Sequence, residues 1–254
     1  VDKLTEELRA TAKPKAQEDH DALVAFARET TGDASLELTN WDVGFWAERM
    51  REKEYNLSDE ELRPYFPFPK VLEGLFAISK RLFDIDVVAA DGDVQVWNKD
   101  VRYFKINNAQ GEQIADFYLD PYSRPADKRG GAWMDSLFGR GPREDGSIRL
   151  PTAILACNQT PPAGDRPSLM SHREVETLFH EFGHGLQHMM TTVNIAQAAG
   201  IESVEWDAVE LPSQFMENWT YHEETVMGFA KHFETGEPLP KDLFDRLVAA
   251  KNYR

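Results

Sequence analysis

Apolar residues recur at helical spacing through the first part of the chain, residues 1–90. The pattern predicts helices over residues 4–29, 41–55 and 70–83. Pro14 is expected to break or kink the first of them, because proline lacks the N–H that continues a helix. The third helix is amphipathic, with one apolar face that we expect to pack on a core.

The hydrophobic period then becomes that of strands. Short runs rich in β-branched and aromatic residues predict strands over 94–97, 101–106, 114–119 and 152–157. The middle two flank the turn signal at 107–111 and are expected to form a hairpin. A Gly- and Arg-rich stretch, residues 123–146, is expected to be loop with some helix. Residues 91–157 therefore predict a small sheet with a loop.

From residue 171 to residue 254 the pattern is again helical, with interruptions near 199–205 and 236–240. Ser171 with Glu174 three residues later is typical of a capping box at a helix start. The fold class predicted from these patterns is mainly α with a small β-sheet, an α+β chain.

Composition excludes several classes of protein. The 254 residues are 41% hydrophobic, which is enough for a real core, and 28 basic against 44 acidic residues leave a net charge of −16. Such a surface disfavours nucleic acid and anionic membranes as partners. No apolar run approaches the roughly 20 residues of a membrane span. The single Cys157 fits a reducing compartment. The N-terminal residues show no secretory signal, so a cytoplasmic or organellar protein is expected rather than a secreted one.

The segment His180-Glu181-Phe182-Gly183-His184 carries the chemistry. On a helix the two histidines project from one face, about 5–6 Å apart at Cβ, so both can reach one metal ion. Glu181 then lies where a carboxylate can take a proton from water that the metal activates. Two metal ligands and one proton acceptor at this spacing form the HExxH motif. The pentapeptide alone also arises by chance on solvated helices.

Catalytic zinc requires a third protein ligand. Glu210 is our choice, with Asp207 and Glu217 on the same predicted helical face. Metal-bound imidazoles usually donate their second N–H to a carboxylate, and Asp207, Glu217 and Glu176 are candidate acceptors. Pro212 must lie in the first turn of this helix or kink it. Spacing alone therefore does not decide which carboxylate binds the metal.

A family resemblance becomes specific at this point. HEFGHGLQHMM followed by WDAVELPSQFMENW resembles the zinc oligopeptidases of the thimet oligopeptidase family, peptidase M3, closest to the oligopeptidase A branch. Upstream, WDVGFW, LRPYFPFPKVLEGLF, VWNKDVRYF and FYLDPYSRPADKRGGAWM are also similar to family segments. The resemblance extends from about residue 40 to residue 254.

The resemblance implies one zinc ion held by His180, His184 and Glu210, with Glu181 as the general base. It implies short peptides as substrates and a zincin-like catalytic region of a larger, two-lobed helical enzyme. Family members are much longer and carry further helical portions on both sides. The chain is therefore expected to be a partial catalytic domain, with helices at 1–90, the sheet and loop at 91–157 and zinc-binding helices at 171–254. The remainder of the same enzyme is then a further partner.

Two segments are candidates for binding a peptide as an added strand. Gly131, Ala132 and Trp133 permit close backbone approach, although an ordinary tight loop explains them equally well. The predicted strand containing Ala153, Ile154 and Leu155 leads towards the zinc helix and is the second candidate. Arg124, Lys128 and Arg129 are basic residues that a peptide C-terminus could meet, against the simpler reading of a solvated loop.

Among the other histidines, His188 continues the four-residue series but is expected to have a structural role, and His172 is expected at the surface. An alternative to the peptidase is a zinc-binding, catalytically incomplete module that binds peptides or assists assembly. Glu181 argues against it, because a purely structural zinc site does not need a general base. A zinc hydrolase of another substrate class is disfavoured by the extent of the match around Glu210.

Overall fold

Helices occupy both ends of the chain, with a small sheet between them. The computed structural model describes residues 1–251. Its helices are α1 (Asp2–Thr31), α2 (Asn40–Tyr55), α3 (Asp59–Leu62), α4 (Phe68–Phe83), α5 (His172–Met189), α6 (Leu211–Glu217), α7 (Glu223–Phe229) and α8 (Lys241–Ala250). The predicted fold class, mainly α with a small sheet, is confirmed. No helix within residues 1–251 has both the length and the apolar character that crossing a bilayer requires.

The main sheet is mixed and has five strands. The strands are β1 (Asp86–Ala89), β2 (Arg102–Asn107), β3 (Gln113–Tyr122), β4 (Trp133–Phe138), β5 (Gly141–Pro142), β6 (Ile148–Arg149) and β7 (Thr152–Gln159). The order in the main sheet is β1-β2-β3-β7-β4, and only β3 and β7 run parallel. Strands β5 and β6 form a separate two-stranded ribbon.

Three details differ from the sequence prediction. The predicted strand at 94–97 is irregular, and the sheet begins instead at β1. The segment after β1 turns, because Asp91 and Asp93 accept hydrogen bonds from the side chains of Arg102 and Lys105 in β2. The stretch 123–146 contains β4, which was not predicted. Helix α1 continues through Pro14. The end of the predicted helical region, residues 252–254, lies outside the described residues.

The chain forms two compact units. The first contains residues 1–58 and the segment from residue 240 onward, where α1 packs on α2 through an edge-to-face contact of Phe26 with Trp46. The second contains residues 59–239 and carries the whole sheet and α5. The candidate chemistry predicted from the sequence therefore lies entirely within the second unit.

The core of the second unit is built from aromatic side chains between the sheet and α5. Phe104 and Phe117 of neighbouring strands stack with ring centroids 5.0 Å apart, and Phe182 of α5 contacts Phe117 edge-on at 5.6 Å. All three are at most 2% exposed. Burying such large apolar groups is the main favourable term in folding, and here it fixes α5 against the sheet.

The start of α5 is held by the predicted capping box. The Glu174 amide donates to Ser171 Oγ at 3.2 Å, and Glu174 Oε2 accepts the Ser171 amide at 2.6 Å. The Glu174 carboxylate also accepts from the Thr160 amide and from Arg63. One side chain thus caps the helix and ties it to the end of β7 and to the turn after α3.

Helices α5 and α6 approach each other closely at Gly183. A Cβ atom at this position would lie 2.6 Å from the Pro212 carbonyl oxygen and 2.7 Å from Ser213 Cα. Both are backbone atoms, which cannot rotate away as the end of a side chain can. Residue 183 must therefore lack a side chain if α6 is to lie where it does.

A buried ion cluster holds the loop between β3 and β4. Arg124 binds the Asp120 carboxylate through two bonds of 2.6 and 2.8 Å, Lys128 Nζ lies 3.0 Å from it, and Trp97 Nε1 donates at 2.9 Å. Lys128 also donates to the carbonyls of Tyr122 and of residue 157 in β7. Burial alone would raise the pKa of Asp120, but the bonds from Arg124, Trp97 and Lys128 outweigh it and lower the pKa to about 2.

Gly183→Ala should destabilise the second unit by about 1–3 kcal/mol, because the new methyl group overpacks against backbone. Gly185→Ala is the matched control, since its Cβ would meet only the side-chain ends of Leu155 and Met189, each at 3.2 Å. We expect the control to be nearly neutral, because alanine also favours helix. Urea unfolding followed by circular dichroism measures both. Equal stability of the two variants would contradict close packing at Gly183.

Asp120→Asn should lower the free energy of unfolding at pH 7 by about 3 kcal/mol, because it leaves two buried cations without their carboxylate. The folded pKa lies below the ordinary value of 3.8, so the unfolded chain binds the proton first as the pH falls. The stabilisation by Asp120 is therefore complete above about pH 5 and declines towards pH 2.

Urea titrations at several pH values should show wild type and Asp120→Asn converging below about pH 4. Asp93→Asn removes an exposed partner of Lys105 and serves as the control, with little effect expected at any pH. A difference between wild type and Asp120→Asn that stays constant from pH 7 to pH 3 would refute the assignment.

Candidate metal centre

Three side chains from α5 and the start of α6 converge on one point. His180 Nε2 lies 3.3 Å and His184 Nε2 lies 3.1 Å from the same oxygen, Oε2 of Glu210. One potential ligand atom from each residue lies within 4.8 Å of the others, so the three form a group that could hold a metal ion. The structure thus brings together the residues predicted as ligands.

The local sequence explains how Glu210 reaches the histidines. Helix α6 begins at Leu211, so Pro212 lies in its first turn, where no amide donor is needed. Glu210 is the residue before the helix, and its Oε2 accepts the hydroxyl of Ser213 at 2.8 Å. That bond is the largest of the influences that lower the pKa of Glu210. Ser213 was not predicted from the sequence as part of the site.

Glu217 orients one of the two imidazoles. Its Oε1 lies 2.6 Å from Nδ1 of His180, so Nδ1 donates its hydrogen and Nε2 presents a lone pair towards Glu210. Within residues 1–251, Nδ1 of His184 is buried without a hydrogen bond of ordinary geometry. Burial lowers the pKa of His184, which favours the neutral, ligating form.

Among the described residues, no hydrogen bond or ion pair joins the other two predicted acceptors to His180 or His184. Asp207 lies in an exposed turn. Helix α6 starts only at Leu211, so Asp207 and Glu217 do not share a helical face. Glu176, one turn before His180, lies 3.7 Å from Nδ1 of His172. Of the three predicted acceptors, Glu217 is the one for which the described residues show a hydrogen bond to His180.

Glu181 faces the same cavity as His180 and Glu217. It is only 6% exposed, and burial raises its pKa to about 7, with His180 lowering the pKa and Glu210 raising it. A carboxyl group with a pKa near neutrality can both accept and return a proton under ordinary conditions.

The remaining histidines near the site have structural contacts. His188 is fully buried, and its Nε2 donates to the Phe138 carbonyl of β4 at 3.0 Å, in keeping with its predicted structural role. His172 is also buried, with Nε2 3.0 Å from the Thr220 carbonyl, so its predicted surface position is wrong. Aromatic packing on Tyr221 accounts for this burial.

The two predicted peptide-binding segments differ in whether their backbone is already paired with other strands. The segment with Ala153, Ile154 and Leu155 lies in β7, whose backbone pairs with β3 on one side and β4 on the other. The expectation that this segment is a free strand edge is therefore wrong. Gly131, Ala132 and Trp133 lead into β4, which is the last strand in the sheet order and has one unpaired side among the described residues.

The basic loop residues are largely committed to the protein itself. Arg124 and Lys128 bind the buried Asp120 carboxylate, so neither is available to a peptide. Arg129 is exposed. Arg173, which was not predicted from the sequence, lines the cavity beside His180. Its position seven residues before His180 on the same helix was the signal that could have identified it.

Comparison with known proteins identifies the family of this chain. The model of Peptidase family M3 matches residues 1–254. The organellar oligopeptidase A, chloroplastic/mitochondrial, of Arabidopsis thaliana is 53% identical over 99% of this chain, which covers 32% of that protein. A probable cytosolic oligopeptidase A of the same plant is 53% identical over 100% of the chain and 37% of its own length.

Oligopeptidase A of Escherichia coli (strain K12) is 47% identical over 100% of the chain, again 37% of its own length. The chain thus spans about a third of the length of these curated relatives. The resemblance inferred from the HEFGH and VELPSQ segments is confirmed. The chain belongs to peptidase family M3.

Proposed function

We propose that this chain carries the catalytic centre of a zinc-dependent metalloendopeptidase that hydrolyses short oligopeptides. The observation that carries the proposal is the convergence of His180, His184 and Glu210, with the buried Glu181 carboxyl in the adjoining cavity. A set of ligands together with a proton acceptor suits hydrolysis better than a purely structural metal site.

The donor set fits zinc. Ligand atoms about 2.0–2.1 Å from a tetrahedral ion lie about 3.3 Å from one another. The two distances from Glu210 Oε2 to the imidazole nitrogens, 3.3 and 3.1 Å, agree with that geometry. Two imidazoles and one carboxylate favour zinc over calcium or magnesium, which prefer oxygen ligands alone.

Zinc, when bound, supplies Lewis acidity towards the scissile carbonyl and lowers the pKa of water. The chain's own residues transfer the proton and orient the ligands. Glu181 takes a proton from the attacking water and returns it to the amine that leaves. Glu217 holds the proton on Nδ1 of His180, so that Nε2 keeps its lone pair for the metal. Ser213 keeps the Glu210 carboxylate turned towards the histidines.

Strand β4 supplies the surface on which an extended peptide aligns. Gly131 adopts φ +95°, and its carbonyl accepts the Asn158 side chain, so the approach to β4 is fixed next to β7. Peptide addition to an exposed strand edge satisfies the backbone of both partners. The names of the relatives, oligopeptidases, support short peptides as the substrates. We place Gly131, Ala132 and Trp133 at this surface.

The proposed setting is the cytosol or an organelle, in keeping with the relatives named as cytosolic and as chloroplastic/mitochondrial. The net charge of −16 disfavours nucleic acid as a partner. The rival function is a zinc-binding module without catalysis. The relatives are about three times as long as this chain. A measurement of whether this chain by itself cleaves peptides therefore tests the rival directly.

Glu181→Gln should abolish peptide hydrolysis while zinc stays bound. The amide cannot accept the proton, and general acid–base catalysis contributes about 100- to 10,000-fold. We would measure cleavage of a quenched fluorescent nonapeptide by the zinc-loaded chain, with zinc content determined for each variant. Glu176→Gln is the matched control, since it removes the same charge from the same cavity and should keep most of the activity.

Two outcomes would count against the catalytic proposal. Zinc binding without cleavage by wild type would favour the module that only binds. Equal cleavage by wild type and Glu181→Gln would mean that another group moves the proton.

Glu217→Gln should weaken zinc binding by about 10- to 100-fold, because His180 loses a charged acceptor for its Nδ1 hydrogen. Asp207→Asn is the control from the same segment, and we expect it to bind zinc like wild type. Competition with a fluorescent chelator measures both affinities. A larger loss in Asp207→Asn than in Glu217→Gln would reverse the assignment.

A further inference from the structure

The cavity beside the metal site contains one side chain with a permanent positive charge. Its described lining residues are Arg173, Glu176, Thr177, His180, Glu181 and Glu217, around a volume of about 320 Å³ that opens to solvent. Three of these residues are acidic. A guanidinium in such surroundings would ordinarily pair with one of them.

Two of the three neighbouring carboxylates have other partners. Glu217 binds His180 at 2.6 Å, and Glu176 lies 3.7 Å from His172. Across the described part of the chain, no ion pair or hydrogen bond of the Arg173 guanidinium is found, and this residue is exposed. Arg173 is therefore available to bind an anion that enters the cavity.

The direction of the helix relative to the edge strand identifies which part of a peptide reaches Arg173. Glu174, at the start of α5, bonds to the amide of Thr160 just after β7, and Trp133 of β4 pairs with Ala156 near that end. At the other end of α5, His188 bonds to the Phe138 carbonyl. Helix α5 and strand β4 thus run in the same direction, with Arg173 at the Trp133 end.

A peptide pairing antiparallel to β4 enters at the Phe138 end and leaves at the Trp133 end. Its C-terminal half then extends towards Arg173, and its negative terminus meets the cation. The opposite direction would bring the positive N-terminus there. Charge and the greater stability of antiparallel pairing favour the same orientation.

Helix α5 sets the distance between Arg173 and His180. Arg173 precedes His180 by seven residues, which is about 10 Å along the helix axis at about 1.5 Å per residue. An extended peptide covers about 3.3 Å per residue, so this length corresponds to about three residues. We propose that Arg173 binds a substrate carboxylate about three residues beyond the scissile bond, on its C-terminal side. This inference rests on the proposed peptidase function and adds a preference among substrates.

The test uses the zinc-loaded chain with matched peptides that share one scissile bond. The first pair carries three residues beyond that bond and ends in a free carboxylate or in a carboxamide. The second pair is longer, ends in carboxamide and has Glu or Gln at the third position. The first pair reports recognition of a C-terminus and the second reports recognition of an acidic side chain. We would measure kcat/KM, and binding of the same peptides to the zinc-loaded Glu181→Gln chain.

Wild type should prefer the carboxylate member of at least one pair by about five- to tenfold, the size expected for a partly exposed charged hydrogen bond. Arg173→Gln should lose the preference, and Arg173→Lys should retain part of it. Arg143→Gln changes the charge equally in the exposed turn between β5 and β6 and should behave like wild type. Arg129→Gln tests the other exposed basic residue on the Trp133 side.

The inference is overturned if Arg173→Gln keeps the preference, if it weakens both members of a pair equally, or if Arg129→Gln alone removes the preference. It is also overturned if wild type binds both members equally. Cleavage without preference would leave the peptidase proposal intact. Preferential binding that depends on Arg173, without cleavage, would instead overturn catalysis by this chain and support carboxylate recognition.

Discussion

The close approach of α5 and α6 at Gly183 is the constraint on which the candidate metal centre depends. The two histidines belong to α5, whereas Glu210 immediately precedes α6. Only a residue without a side chain allows the backbone at Pro212 and Ser213 to come so near. The glycine inside the HEFGH segment therefore allows Glu210, the candidate third ligand, to lie near the two histidines.

Helix α5 is also fixed lengthwise. Its first turn is tied to the end of β7 through Glu174, and its last turn is tied to β4 through His188. Between these attachments Phe182 packs into the aromatic core. A helix held at both ends and along one face keeps its exposed face at a constant distance from the sheet edge. Precise placement of catalytic groups relative to bound substrate depends on this kind of support.

Strong local patterns made α5 and the placement of its two histidines on one face predictable. The capping box, the amphipathic period and the four-residue spacing of the histidines all lie within one helix, so sequence distance translates directly into geometry. Features that depend on strand order were not accessible in this way. The interior position of β7 follows from a long-range pairing with β4, and the exposed position of Asp207 follows from where α6 starts. The seven-residue spacing places Arg173 on the same helical face as His180, but the cavity that both residues line is seen only in the structure.

The unpaired edge of β4 carries a second physical consequence. Trp133, Leu137 and Phe138 are each between 43% and 47% exposed on this strand, which among the described residues pairs with a neighbouring strand on one side only. The same edge on another copy of the chain is a competing partner, so the surface proposed to bind peptides is also a route to aggregation. Mutual repulsion between copies that each carry a net charge of −16 opposes that route. The acidity of the chain thus helps keep the edge open in solution, and concentrated salt, by screening it, favours self-association.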